Sequence, residues 1–142
     1  MSAARVFFDT NVLLYLLSPD AAKADWTEQA LAAGGVISVR VLNEFASVAR
    51  RKLGLALGEI REILDPIRVV CRVEPLTEQT HDLAMQIVER YGFSIYDALI
   101  IASALMAGCS TLYSEDLQDG QVLEDQLVVR NPFGDFDIEF KG

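Results

Sequence analysis

Val6-Phe7-Phe8-Asp9-Thr10-Asn11-Val12-Leu13-Leu14 is the stretch that decides the fold. A short apolar run ends in an acid, two small polar residues follow, and a second apolar run begins. It reads as a buried strand whose last step hands a carboxylate to a crevice. Ligands of open parallel sheets bind outside the carboxyl ends of the strands. Three more acids stand in comparable settings, Glu44, Asp97 and Asp116. The functional question is whether the four converge.

Outward from this stretch, strand and helix patterns alternate. A strand over Arg5–Phe8 leads to a short helix over Asn11–Leu17, stopped at Ser18-Pro19. Asp20 caps a helix reaching about Ala33, and Val36–Ser38 is a strand. Ser38 then caps a helix over Val39–Leu53, whose apolar stripe is Val41, Leu42, Phe45, Val48 and Ala49. A helix over Glu59–Leu64 is interrupted near Asp65-Pro66, and Val69–Val73 reads as a strand. Thr77 starts a helix to Tyr91, and Ser94 another to Ala107. Thr111–Tyr113 is a strand, Ser114–Gly120 a loop, Val122–Asp125 a turn of helix, and Leu127–Val129 the last strand. The alternation predicts an α/β fold with a parallel sheet sandwiched by helices. One domain over residues 1–142 is expected, with no clear pattern after about residue 133.

Composition narrows the function. The mean hydropathy of +0.25 and 51% hydrophobic residues supply a core and make a self-association surface plausible. The longest apolar run, Ala98–Gly108, is too short to span a bilayer, and the apolar start is broken by Asp9, so a cytoplasmic protein without a membrane segment is expected. Cys71 and Cys109 have neither metal-ligand nor redox spacing and read as small buried residues. His81 is the single histidine, so chemistry that needs several is excluded. The net charge of −9 is unevenly spread. Seven of the twelve Lys and Arg residues fall between Arg40 and Arg72 against four acids, a local net of +3. Taken alone, such a segment reads as ordinary solvated helix faces.

Each acid has an ordinary explanation. Asp9 could cap the helix that follows, although Thr10 or Asn11 could do so without a charge. Glu44 could be an exposed helical glutamate, but it borders the apolar stripe, where burial needs a partner. Asp97 completes a Ser94-x-x-Asp97 capping box, yet opens a nearly apolar helix. Asp116 could be a plain loop acid, and Asp119 competes with it in the same loop. Together the acids are more telling, since three of them follow or begin elements at one inferred sheet edge. Clustered carboxylates repel unless cations bind. An all-oxygen set suits Mg²⁺ or Mn²⁺, and metal-activated water is the natural chemistry.

At these residues the chain resembles the PIN-domain family, in particular VapC-type toxin ribonucleases. The matching segments are Phe8-Asp9-Thr10-Asn11-Val12, Asn43-Glu44-Phe45, Tyr96-Asp97-Ala98-Leu99-Ile100, Leu112-Tyr113-Ser114-Glu115-Asp116 and Asn131-Pro132-Phe133. They occur in the family's order over almost the whole chain. The resemblance implies a parallel sheet flanked by helices, with an acidic pocket at one edge. It implies Asp9, Glu44, Asp97 and Asp116 as the catalytic acids. Asp9, Asp97 and Asp116 would hold Mg²⁺, and Glu44 would coordinate directly or through water. Thr10, Asn11 and Ser114 match supporting positions. One departure is Gln118, where the family loop often carries another acid. Arg40, Arg50, Arg51 and Lys52 are candidates to hold RNA phosphates. The activity implied is hydrolysis of RNA phosphodiester bonds. The partners implied are a VapB-type antitoxin and a second copy in a homodimer.

Other readings fit less of the chain. A haloacid-dehalogenase-type phosphatase expects an acid where Asn11 stands, and a late lysine, but none lies between Lys52 and Lys141. A receiver domain also needs that lysine. A catalytically silent PIN-like interaction module would leave the acids as helix caps and contacts for basic partners.

Overall fold

The computed structural model describes residues 5–133. The β-branched and aromatic run at its start forms β1 (Val6–Phe8), with Phe7 and Phe8 fully buried. The other strands are β2 (Gly35–Ser38), β3 (Cys71–Glu74), β4 (Thr111–Tyr113), β5 (Val122–Leu123) and β6 (Leu127–Arg130). They form one sheet of order β3-β2-β1-β4-β6-β5. Every neighbouring pair is parallel except the β5–β6 hairpin. The helices are α1 (Thr10–Leu13), continued by a 3₁₀ turn at Leu14–Leu17, then α2 (Ala21–Ala32), α3 (Val39–Leu53), α4 (Leu57–Val70), α5 (Glu78–Tyr91) and α6 (Ile95–Met106). The expected α/β fold is present: a mostly parallel sheet flanked by helices.

The strand order positions the site. From β1 the chain steps outward through β2 to β3, then returns to the other flank for β4 and β6. The reversal falls between β1 and β4, which are in register with Phe8 beside Tyr113. Loops leaving two such strands diverge and open a crevice at their carboxyl ends. The residues next in sequence are Asp9 and Ser114.

Local chemistry sets the helix ends. The side chains of Ser38, Thr77 and Ser94 accept from the backbone N–H groups of Val41, Thr80 and Asp97, starting α3, α5 and α6. Gly54 and Gly92 stop α3 and α5 at φ +67° and +80°, a conformation that costs glycine little. Both cysteines are buried free thiols, and burial pushes each up to about 11. No helix among the described residues is long and apolar enough to cross a membrane.

Three expectations are corrected. The helix beginning near Glu59 does not stop at Pro66 but runs to Val70, and β3 starts only at Cys71. Ile60, Leu64 and Ile67 form one buried stripe that continues past the proline. Pro66 lies on the exposed side, where its missing N–H leaves the Glu62 carbonyl facing water. Val122–Asp125 is not helical. Val122 and Leu123 pair with Val128 and Leu127, and Glu124 and Asp125 make the turn with φ of 53° and 54°. Two positive φ values define the turn that matches strand twist, normally marked by glycine or asparagine. Finally, α1 ends at Leu13, and the expected helix to Leu17 finishes as a 3₁₀ turn. The tail beyond residue 133 lies outside the described residues.

One close approach ties the sheet to Asp9. A Cβ on Gly35 would lie 2.6 Å from Cε2 of Phe8 and 3.1 Å from the Val6 carbonyl oxygen. The Phe8 ring is enclosed and has no room to retreat. Gly35→Ala is expected to destabilise the protein by about 1–3 kcal/mol through overpacking. The check is a lower urea midpoint with an unchanged slope.

Candidate active site

Asp9 leaves the end of β1 and caps α1 with only 8% of its surface exposed. One carboxylate oxygen accepts from the Thr10 N–H at 2.7 Å, the other from the Ser114 hydroxyl at 2.8 Å. The Asp9 N–H donates to the Tyr113 carbonyl at 3.0 Å, which locks the residue to the end of β4. Ser114 is fully buried, and its Oγ also accepts from the Asp116 N–H at 3.2 Å. One hydroxyl thus orients two of the four acids.

Electrostatics oppose ionisation of Asp9. Burial is the largest cause, the charges of Asp116 and Glu44 add to it, and the hydrogen bonds from Ser114 and Thr10 only partly offset it. The carboxyl is pushed from its ordinary 3.8 up to about 6. Asp116 and Glu44 are therefore close enough to be felt at Asp9.

The other acids arrive from separate elements. Glu44 lies in the middle of α3, half-buried, and Arg40 one turn earlier donates to its Oε1 at 2.5 Å. The Arg40 guanidinium also stands over the Tyr96 ring, 4.6 Å from its centroid. Asp97 is half-buried in the first turn of α6, beside Tyr96. Contacts therefore run from Tyr96 through Arg40 to Glu44, and from Asp116 through Ser114 to Asp9. Asp119 is engaged elsewhere, since it accepts from the Asn131 N–H at 2.9 Å. Among the described residues, no three acidic, histidine or cysteine side chains close into a finished cation cage.

Thr10 and Asn11 open α1, and Ser114 follows β4. Asn11 accepts from the Glu115 N–H at 3.3 Å, and the Tyr15 hydroxyl donates to the Glu115 carboxylate. Thr10 Oγ1 and Asn11 Nδ2 are buried without hydrogen-bond partners, beside the buried Asp9 carboxylate. Trp26, Tyr113, Tyr15 and Phe133 pack edge to face behind them. The basic candidates separate. Arg40 reaches the acids, whereas Arg50, Arg51 and Lys52 occupy the last turn of α3. At 1.5 Å per residue that turn is roughly 15 Å further along the helix.

Glu74, which sequence reasoning missed, is a buried acid at the same edge at the end of β3, paired with Arg72 at 3.2 Å. Two strand spacings, roughly 10 Å, separate it from β1. Tyr96 was visible only as a neighbour of Asp97, and its contact with Arg40 joins residues far apart in sequence.

The donor set fits a hard divalent cation. It is all oxygen, one member is buried at an energetic cost when ionised, and an unpartnered buried hydroxyl stands beside it. Magnesium keeps several waters and takes one or two carboxylates, so a finished cage is not required.

The Asp9 shift has a definite sign. Between about pH 4 and pH 6 the folded protein holds a proton that the unfolded chain has lost, so stability falls as pH rises through that window and is level above it. In metal-free buffer Asp9→Asn is expected to be more stable than the parent at pH 7, by roughly 3 kcal/mol at most. The difference should vanish near pH 4. Urea unfolding of both proteins across this range checks it.

A PIN domain family model matches residues 6–118. No curated protein matches significantly. The fold is similar to VapC20 of Mycobacterium tuberculosis, described as a sarcin–ricin loop cleaving toxin. That match has 23% identity and a TM-score of 0.61, covering 77% of this chain and 88% of that one. It is similar to a toxin–antitoxin complex from Klebsiella pneumoniae at 19% identity and a TM-score of 0.65, covering 89% and 96%. FitAcB from Neisseria gonorrhoeae matches at 19% identity and 0.63, covering 91% and 99%. With the family model spanning most of its length, and the acid-bearing switch point between β1 and β4 inside that span, the chain belongs to the PIN domain family.

Proposed function

We propose that this protein is a metal-dependent endoribonuclease toxin of the VapC type, held in check by a cognate antitoxin. The observation that carries the reading is the buried Asp9 carboxylate, fixed by Ser114 at the switch point and within electrostatic reach of Asp116 and Glu44. The family membership supports it, as do fold neighbours described as a sarcin–ricin loop cleaving toxin and a toxin–antitoxin complex.

In this reading Asp9, Asp97 and Asp116 hold Mg²⁺ or Mn²⁺, with Glu44 joining directly or through water. Held by these residues, such an ion would supply a lowered pKa for its water and charge neutralisation at the phosphate. The Ser114 hydroxyl and the Thr10 N–H keep the Asp9 carboxylate aimed out of the sheet edge. Glu44, held by Arg40, orients the attacking water. Attack on phosphorus leaves a 5′-phosphate and a 3′-hydroxyl. With a single histidine, exposed on α5, the chain lacks the pair of histidines that typically serve as base and acid in a 2′-hydroxyl mechanism.

A partner has an apolar place to rest. A cleft of about 440 Å³ is lined by Leu16, Leu17, Leu31, Ile63, Ile67 and Val70, with Glu28 and Glu62 also on its wall. It suits the apolar face of an antitoxin segment carrying basic residues. Exposed Met85, Met106 and Val122 add apolar surface compatible with a homodimer. The cytoplasm is the proposed location.

The test is cleavage of total RNA by antitoxin-free protein in Mg²⁺, Mn²⁺ or EDTA. Discrete products with 5′-phosphates are expected, abolished by EDTA and reduced at least about 100-fold in Asp9→Asn and Asp97→Asn, the scale for losing a transition-state charge partner. Cleavage surviving both substitutions would refute the site. No cleavage by folded protein in either metal would favour the silent interaction module.

A further inference from the structure

Among the Phe, Tyr and Trp side chains of the described residues, Tyr96 stands out as exposed, at 60%. The buried face of α6 is made by Ala98, Ile100, Ile101, Ala102, Ser103 and Ala104, so the core does not require a ring at position 96. Nor does α6 need it for capping, which Ser94 performs. An aromatic in water beside an acid of the candidate site calls for another explanation.

Arg40 supplies part of one. Its guanidinium lies over the ring at 4.6 Å and is fixed by Glu44 at 2.5 Å. A cation against an aromatic face is attracted to it and restricts its motion. The ring is thereby held, while most of its surface stays open. It precedes Asp97 in sequence and is one guanidinium away from Glu44, so anything stacked on it lies at the border of Glu44.

Resting on the ribonuclease reading, we infer that Tyr96 is a stacking platform for an unpaired nucleobase next to the scissile phosphate, with Arg40 as its positioning residue. Recognition of single-stranded RNA relies on bases splayed out and stacked on aromatic or guanidinium planes, which a paired base in a duplex cannot offer. A contact of this kind is uncharged, which matters in a chain of net charge −9. The platform selects loops over helices without reading base identity. It leaves the hydroxyl of Tyr96 without a required role, so phenylalanine should serve equally.

The probe is a twelve-nucleotide oligoadenylate carrying one 2-aminopurine, single-stranded or annealed to its complement, bound to the full chain with Ca²⁺ in place of Mg²⁺. Stacking on the ring quenches the 2-aminopurine. The parent and Tyr96→Phe are expected to quench and to prefer the single strand. Tyr96→Ala should lose the quench and roughly 5- to 100-fold of single-strand affinity, the range for one base–aromatic stack. Duplex binding and the salt slope should stay unchanged, because no charge is removed. Equal loss for both RNAs, failure of Tyr96→Phe, or normal quenching in Tyr96→Ala would overturn the platform. So would absence of single-strand binding by the parent. Normal RNA binding by Tyr96→Ala with weakened antitoxin capture would reassign the ring to a protein contact. The two readings fail separately: quenching without cleavage in Mg²⁺ or Mn²⁺ refutes the nuclease and keeps the platform. Cleavage by Tyr96→Ala with unaltered preference for unpaired RNA does the reverse.

Discussion

The hydrogen bond from Ser114 to Asp9 is the constraint around which the rest is arranged. It joins the ends of two strands whose pairing places Phe8 beside Tyr113. A carboxylate just above an apolar sheet is costly, and two hydrogen bonds do not remove the cost, since its ionisation is still resisted up to about pH 6. Asp9 is thus rigid in position but unsatisfied in charge. A group in that state gains more from an arriving cation than a solvated surface acid does. Position comes from strand register and charge hunger from burial, so the same residues that build the sheet also poise the site.

Arg40 meets the second constraint, repulsion among the acids. It pairs with Glu44 one helical turn away, and the pair spans the gap between α3 and the start of α6 through Tyr96. Exposed pairs of this spacing contribute little to stability by themselves. Here the effect is one of position. Glu44 is drawn toward its own helix and its charge is paired. That arrangement accounts for a cluster felt electrostatically at Asp9 without a closed cage among the described residues.

Much of this was legible in the sequence because the signals were local. Ser38, Thr77 and Ser94 announce helices through side-chain caps, and strand-end acids mark a sheet edge. The failures arose where a distant surface overrode a local signal. Pro66 breaks a helix in isolation, but Ile60, Leu64 and Ile67 are buried together and hold α4 across it. Glu124 and Asp125 carry no glycine, yet the β5–β6 pairing and the bonds from Arg90 and Tyr91 to Glu124 fix the turn. The four acids could be nominated from spacing. The role of Ser114 as orienter of two of them, and the link from Arg40 to Tyr96, required the fold.

The fold also divides the basic segment in a way that bears on recognition. Arg40 begins α3 at the acidic edge, while Arg50, Arg51 and Lys52 end it at the other pole. On the proposed ribonuclease reading, a phosphate chain entering the site would meet one paired guanidinium rather than a basic track. In a chain of net charge −9, long-range attraction to RNA is weak. On the proposed ribonuclease reading, selectivity would then arise from short-range contacts with a cation, the held ring and the crevice between β1 and β4. Such contacts would need RNA that presents a phosphate and an unstacked base together, which favours a loop over a helix.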